Sequence, residues 1–493
     1  MTSHAPAADA STRSSARLWG YGVGMLVPAL YFAVRYPLGG NAERLADLGI
    51  LSGYAAIECW AFVFAQAALF ALYGLALREC RRLAAARALP VVFSVGATLA
   101  ACLATTYPVT ANDIFLYAAR SRLLTTYGAN PNAARPEDYP ADSWRPFVRD
   151  EWADDSSPYG PLWNVIAAPI TLLADARLPL ALVGFKVLAT LATLAGAWAI
   201  ARTLVATPGG APATGALCYL WNPLVLWEGI GNAHNDVVVI LLILLAFLAW
   251  TRERDTVVLP LLVAATLVKY TPGVLLPIAA TALWRRASDG RARRRLLGTS
   301  VAYSGVIVAV ALAPFFDVGA LRTSLAGQGA IVLTSPLAAL ALALEGHLSR
   351  AVVEGWGIGA GTVALMLALL WGARTVWRCP AHLPRVAVVA ITVLLLVATW
   401  QFRGWYLIWL VGLTALVPPG WATMRAWAWT AGAMAVYAPF IWLWGGYKLP
   451  FAPVHNVGVA IIFGPVILVL LTQAWRRRAT GSGLPTARPG PSP

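Results

Sequence analysis

Charge is scarce in this chain, and lysine almost missing. Of 493 residues only 12% are charged, and just three are lysines: Lys186, Lys269 and Lys448. Together with 59% hydrophobic residues, this places the chain outside the range of soluble domains, and many of its apolar runs are long enough to span a bilayer. Cysteine is also sparse: Cys59, Cys102 and Cys218 lie in apolar segments, and Cys80 and Cys379 in basic loops. No spacing among them resembles a metal motif or a disulfide framework, so redox chemistry is not indicated. Long polar stretches between apolar runs are missing too, with one exception from Tyr107 to about Pro158. What is left is an all-α polytopic membrane protein.

The net charge of +15 would suggest nucleic acid in a soluble chain. Here the basic residues cluster in short segments between apolar runs: Arg78 to Arg87, Arg252 and Arg254, Arg285 to Arg295, Arg374 to Arg385, and Arg476 to Arg478. By the positive-inside rule these belong in the cytoplasm. An ordinary cytoplasmic loop explains Arg291-Ala292-Arg293-Arg294-Arg295, and no nucleic-acid partner is expected. The first apolar run, Leu18 to Val34, lacks a small-residue cleavage site and reads as a retained helix.

Alternating spans against the basic clusters predicts helices near Leu18–Val34, Tyr54–Leu77 and Pro90–Tyr107, followed by an extracytoplasmic loop over 108–176. Tyr159–Ala174, interrupted by Pro161 and Pro169, keeps the alternation in phase only as a re-entrant or interfacial helix. Spans then fall at Leu182–Leu204, Thr214–Gly229 and Val237–Trp250. Thr256–Trp284 has arginines at both ends and reads as a hairpin with a broken tip at Lys269-Tyr270-Thr271-Pro272-Gly273. Later spans fall near Thr299–Phe315, Ile358–Val376, Val386–Thr399, Tyr406–Val417, Ala426–Trp444 and Val457–Trp475. The expectation is one membrane domain over 18–475 with about 12–14 transmembrane helices, a cytoplasmic tail over 1–17, and a disordered cytoplasmic tail over 476–493.

This topology brings Asp113, Tyr117, Tyr159, the stretch Glu228 to Asp236, Lys269, and Gln401, Arg403, Trp405 and Tyr406 to one face. Asp113 is either a helix cap beside Asn112 or a general base. An ionised carboxylate at a water-accessible membrane edge can deprotonate a hydroxyl, and an acid so close to hydrocarbon is a functional-site candidate. The other loop acids, Glu137, Asp138, Asp142, Asp150, Glu151, Asp154 and Asp155, read as a solvated face. A lysine at a broken helix tip suits an anionic head group, with an ion pair or a snorkelling side chain as the bland alternative for Lys269 and the better reading for Lys186. Glu228, His234, Asn235 and Asp236 form a polar turn suited to a hydroxyl-rich ligand, or simply a capped helix start. A zinc site there lacks a second histidine at ligand spacing. Arg403 stands apart from the cytoplasmic arginines, and its planar fork suits phosphate, whereas Trp405 is equally suited to interfacial anchoring.

Asn112-Asp113-Ile114-Phe115-Leu116-Tyr117, Tyr127-Gly128-Ala129-Asn130-Pro131, Ser157-Pro158-Tyr159-Gly160-Pro161-Leu162, the Glu228 to Asp236 turn, Val268-Lys269-Tyr270-Thr271-Pro272 and Gln401 to Trp409 occur in that order. In this set the chain resembles the GT-C glycosyltransferases, in particular the polyprenyl-phosphate-mannose-dependent mannosyltransferases of bacterial envelopes (glycosyltransferase family 87-like). The resemblance runs from about Leu18 to Trp475 and departs from the family at Asn132, where relatives often carry an aromatic.

The resemblance implies a GT-C-like fold in the plasma membrane, with both termini cytoplasmic and the active site extracytoplasmic. It implies an inverting enzyme that moves a sugar, mannose first, from a polyprenyl-phosphate donor to an envelope glycan or glycolipid acceptor. Asp113 would be the general base, Lys269 and Arg403 would hold the donor phosphate, and Tyr117, Tyr159, Glu228, His234, Asn235, Asp236, Gln401, Trp405 and Tyr406 would bind substrate. By its position alone, Asp317–Trp356 would be a lid over the donor. No cofactor or metal is expected, because a lipid phosphate is already a good leaving group. The alternatives are a transporter or flippase for a lipid-linked or sugar substrate, or a GT-C enzyme using another lipid-phosphate sugar. Loss of transfer in Asp113→Asn with donor binding kept separates an enzyme from a transporter.

Overall fold

Inside hydrocarbon every backbone N–H and C=O must find its partner within its own segment, so the apolar runs of this chain form helices. The structure, a computed structural model, describes residues 5–319, 322 and 334–479, with side chains from residue 13 onward. Among the described residues there is no strand, only an isolated bridge between Pro37 and Thr106. Seven described helices are individually long and apolar enough to cross a membrane, among them Ala56–Cys80, Ala85–Ala104, Leu178–Val205 and Phe451–Ala479. An eighth span arises if Val225–Gly231 and Asp236–Thr251, bent by 114° at the polar turn, count as one. The expected 12–14 transmembrane helices are not all continuous; Pro161–Ala174, Asp255–Val268 and Gly404–Thr414 are shorter apolar pieces.

The breaks gather at one end of the bundle. Asp255–Val268 runs toward the tip at Lys269, and Leu275–Arg286 returns. The two ends meet again, because Arg286 donates to the Trp250 carbonyl at 2.9 Å and pairs with Asp255 at 3.3 Å. That closes the hairpin expected from the flanking arginines. At the same end of the bundle Arg285 donates to the Trp377 carbonyl at 3.2 Å, so the arginine-rich turns share one face.

The opposite face carries residues 108–176. Asp113–Tyr127 is a helix closed by Gly128 in the left-handed conformation, with φ of 65°. Of the loop acids, Glu137, Asp138, Asp150, Glu151, Asp154 and Asp155 are exposed, the solvated face expected, and ion pairs brace the loop. Arg122 meets Asp142 at 2.6 Å, Arg145 meets Glu137 and Asp150, and Arg135 meets Asp138 at 2.8 Å. The chain then enters the short apolar helix Pro161–Ala174, within the stretch Tyr159–Ala174 where a re-entrant or interfacial helix is expected. Its entry is pinned to the hairpin tip: Gly160 N–H donates to the Val268 carbonyl at 3.1 Å, and a Cβ at Gly160 would stand 2.1 Å from the Leu267 carbonyl oxygen. Asn132, the departure from the family pattern, is buried and braces this entry through the Ser157 and Tyr159 carbonyls at 3.1 and 2.9 Å. Of the lid expected over Asp317–Trp356, residues 320, 321 and 323–333 lie outside the described residues, and the rest includes the helix Pro336–Ala343 and the start of Arg350–Arg378.

Candidate active site

Asp113 opens the first helix of the 108–176 region and does not cap it. Its Oδ1 accepts from the Tyr159 hydroxyl at 2.9 Å, and its Oδ2 lies 3.6 Å from His234 Nε2. The side chain is one-fifth exposed, which leaves room for a ligand atom. Burial pushes the carboxyl up, but the His234 ring, the Tyr159 hydroxyl and the charge of Arg403 outweigh it and hold Asp113 at about 2, below the usual carboxylate range. The carboxylate is therefore ionised at any pH the protein meets.

The segment that leads from Pro212–Leu220 into the polar turn is a widened, π-type coil over Val225–Gly231, a distortion that often marks functional sites. It presents Glu228 to three groups. Glu228 accepts from Tyr437 at 2.6 Å and from Asn232 at 2.8 Å, and His234 Nδ1 sits 2.9 Å from its carbonyl and 3.3 Å from its carboxylate. Ala233, with φ of 57°, takes a strained left-handed conformation that turns His234 toward Asp113. The His234 ring stacks on Trp405, centroids 4.0 Å apart at 20°. Asn235 donates its backbone N–H to the Tyr117 hydroxyl at 3.3 Å, and Tyr117 meets Tyr159 edge-on at 5.1 Å. The Asn235 side-chain amide is buried with no partner among the described residues.

Asp236 does not cap the helix it starts. Both its oxygens lie 3.0 Å from Lys269 Nζ, so the bland alternative for Lys269, an ion pair, is present in the structure. The ammonium also stands over the Tyr406 and Trp409 rings at 4.6 and 5.4 Å. Arg403 lies over Trp405 at 5.8 Å, and no carboxylate among the described residues is within ion-pair distance of it. Gln401 is half-buried at the start of that turn and makes no hydrogen bond to the cluster among the described residues. All the predicted site residues but Gln401 therefore join one network; Glu228, His234, Asn235 and Asp236 lie below its surface, fully enclosed.

Sequence reasoning missed four groups. Lys186 is neither ion-paired nor snorkelling: it is buried and donates to the carbonyls of Thr106 and Gly231, tying the end of one span to the polar turn. Arg120, two turns along the helix from Asp113, is buried and donates to the Asp155 carbonyl at 3.1 Å, fixing the return of the loop. Thr110 accepts from Trp227 at 2.8 Å and from Asn232 at 2.7 Å. Tyr437 reaches Glu228 from a distant span. The spacing of Arg120, seven residues after Asp113 on one helix face, is the one signal that pointed to any of them.

Fold and network together define a multi-pass membrane protein whose polar site is assembled from helix ends on one face. Within that class the chain belongs to the alpha-(1->6)-mannopyranosyltransferase family, whose N-terminal-domain model matches residues 23–285, more than half of the chain. It is 27% identical over 302 residues to alpha-(1->6)-mannopyranosyltransferase A of Mycobacterium tuberculosis, covering 60% of this chain and 54% of that protein. It is 25% identical over 419 residues to alpha-(1->6)-mannopyranosyltransferase B of Corynebacterium glutamicum, covering 77% of this chain and 67% of that protein. The match thus spans about half the length of the mycobacterial relative.

Proposed function

We propose that this protein is an inverting mannosyltransferase that moves mannose from a polyprenyl-phosphate donor to an envelope glycan or glycolipid at the extracytoplasmic face of the plasma membrane. The observation that carries the reading is Asp113: an ionised, partly exposed carboxylate oriented by Tyr159 and His234 and facing the guanidinium of Arg403, which has no carboxylate partner among the described residues. Asp113 accepts the proton of the acceptor hydroxyl as its oxygen bonds to the anomeric carbon, while the bond to the phosphate oxygen breaks and the electron pair leaves with the lipid phosphate. A carboxylate held this low is a weak base, and it suffices because the hydroxyl becomes strongly acidic only as the new bond forms. In-line displacement converts a beta-linked donor into an alpha linkage.

Arg403 is the better holder of the departing phosphate, since its planar fork is not committed to a carboxylate. Lys269 contributes positive potential from beneath, already paired with Asp236. The arginine-rich turns on the opposite face support the assignment of the site to the extracytoplasmic side. The test is a membrane assay with a panel of polyprenyl-phosphate sugars and a glycolipid acceptor. Mannose transfer with inversion is the expected result; transfer of another sugar only corrects the donor, and sugar movement across vesicles without a new glycosidic bond establishes a transporter instead.

A further inference from the structure

His234 does more than line the site. Its Nδ1 lies 2.9 Å from the Glu228 carbonyl oxygen, which can only accept, so Nδ1 carries a hydrogen. Its Nε2 has no other partner among the described residues and lies 3.6 Å from Asp113 Oδ2. A neutral ring would aim a lone pair at that carboxylate, whereas a doubly protonated ring aims an N–H at it. The Glu228 carboxylate at 3.3 Å favours the charged form as well, whereas Asp236 is already paired with Lys269. Against these stand the cations on the other packed elements, Arg403 over the same Trp405 ring and Lys269, the latter already neutralised by Asp236. Stacking on Trp405 and complete enclosure prevent the ring from turning away.

We propose that His234 is a positioning residue for the transfer, an imidazolium whose Nδ1–H is fixed by Glu228 and whose Nε2–H holds Asp113 Oδ2. With the Tyr159 hydroxyl on Oδ1, both oxygens of the carboxylate are fixed in place, and its remaining lone pairs face the acceptor. His234 keeps both its protons throughout; the acceptor proton goes to Asp113. This rests on the proposed transfer reaction, but the charge of the ring does not need turnover to be seen.

The experiment uses the full chain in detergent, labelled with 13C-histidine, with the His234 resonance assigned as the one lost in His234→Gln. The expected spectrum shows an imidazolium at neutral pH that loses its proton only in alkaline solution, and at lower pH in Glu228→Gln, where one flanking charge is gone. A neutral ring at neutral pH, or a titration unmoved by Glu228→Gln, overturns the proposal whether or not the protein transfers mannose. In the transfer assay, His234→Gln should lose about a hundredfold in kcat with little change in donor KM, the signature of a misplaced base rather than a lost binding contact. The wild-type pH profile should show an alkaline limb that is absent in His234→Gln. Failure of the wild-type chain to transfer mannose, with the imidazolium present, would count against the reaction and not against the charged ring.

Discussion

At the residue scale, the site separates groups that face a ligand from groups that hold them. Asp113 and Arg403 are partly exposed, and Glu228, His234 and Asp236 are enclosed. The phosphate role is therefore tested more cleanly at Arg403 than at Lys269. Arg403→Gln should raise the donor Kd tenfold or more with the fold intact, as measured by donor binding in detergent; unchanged affinity would remove Arg403 from the phosphate site. Lys269→Met leaves Asp236 buried without its cation and should cost about 3–5 kcal/mol of stability. Adding Asp236→Leu should recover most of that loss in a thermal-shift measurement. Because the Asp113 carboxyl is held low, its contribution to stability is fully present above its unfolded value and is lost only as pH falls through about 2. Activity should accordingly show no acid limb from Asp113 above about pH 4, the usual carboxylate value; such a limb, abolished in Asp113→Glu, would contradict the assignment.

At the scale of elements, two joints hold the site together. Gly160 passes so close to the Leu267 carbonyl that any side chain must push the re-entrant helix off the hairpin tip. Gly160→Ala should destabilise the protein by about 1–3 kcal/mol and lower kcat through displacement of Tyr159, while Gly128→Ala, facing open space, should cost stability through its left-handed backbone alone. Comparing the kcat values of the two variants checks the joint. The existence of these elements could be read from the sequence: a short separate helix near Pro161–Ala174 followed from the alternation of arginines, and the hairpin tip from Lys269, Pro272 and Gly273 at mid-run. What could not be read was which helix ends touch. Tyr437 lies in an apolar run like any interfacial aromatic, and nothing in its neighbours announces that it will reach Glu228, 209 residues away. Lys186 was misread for the same reason: sequence shows a cation at depth, and only packing shows that carbonyls rather than a carboxylate receive it. The ion pairs of the 108–176 loop were equally hidden, since acids and arginines interspersed along a loop look the same paired or solvated.

At the scale of the whole molecule, the turns at Arg252–Asp255, Arg285–Arg286 and Trp377 lie on one face and the chemistry on the other, and the polar network is drawn from segments as far apart as Asp113 and Tyr437. Glu228, His234, Asp236 and Lys269 are buried where helices break, so the breaks and the site coincide. Orientation in the membrane is the property that converts this geometry into a biological role. Single cysteines placed at Glu151 in the loop and at Ser288 on the arginine face, in a chain otherwise free of cysteine, should label from opposite sides of intact cells, Glu151→Cys from outside. The opposite pattern would put the site in the cytoplasm and remove the lipid-phosphate donor from the account.

The central claim is that Asp113 takes a proton from an acceptor hydroxyl while a lipid phosphate departs. The direct measurement compares mannose transfer and donor binding by the wild-type protein and Asp113→Asn in the same membranes. The account predicts transfer lowered by about a hundredfold to ten-thousandfold with donor affinity retained; transfer undiminished in Asp113→Asn would contradict it.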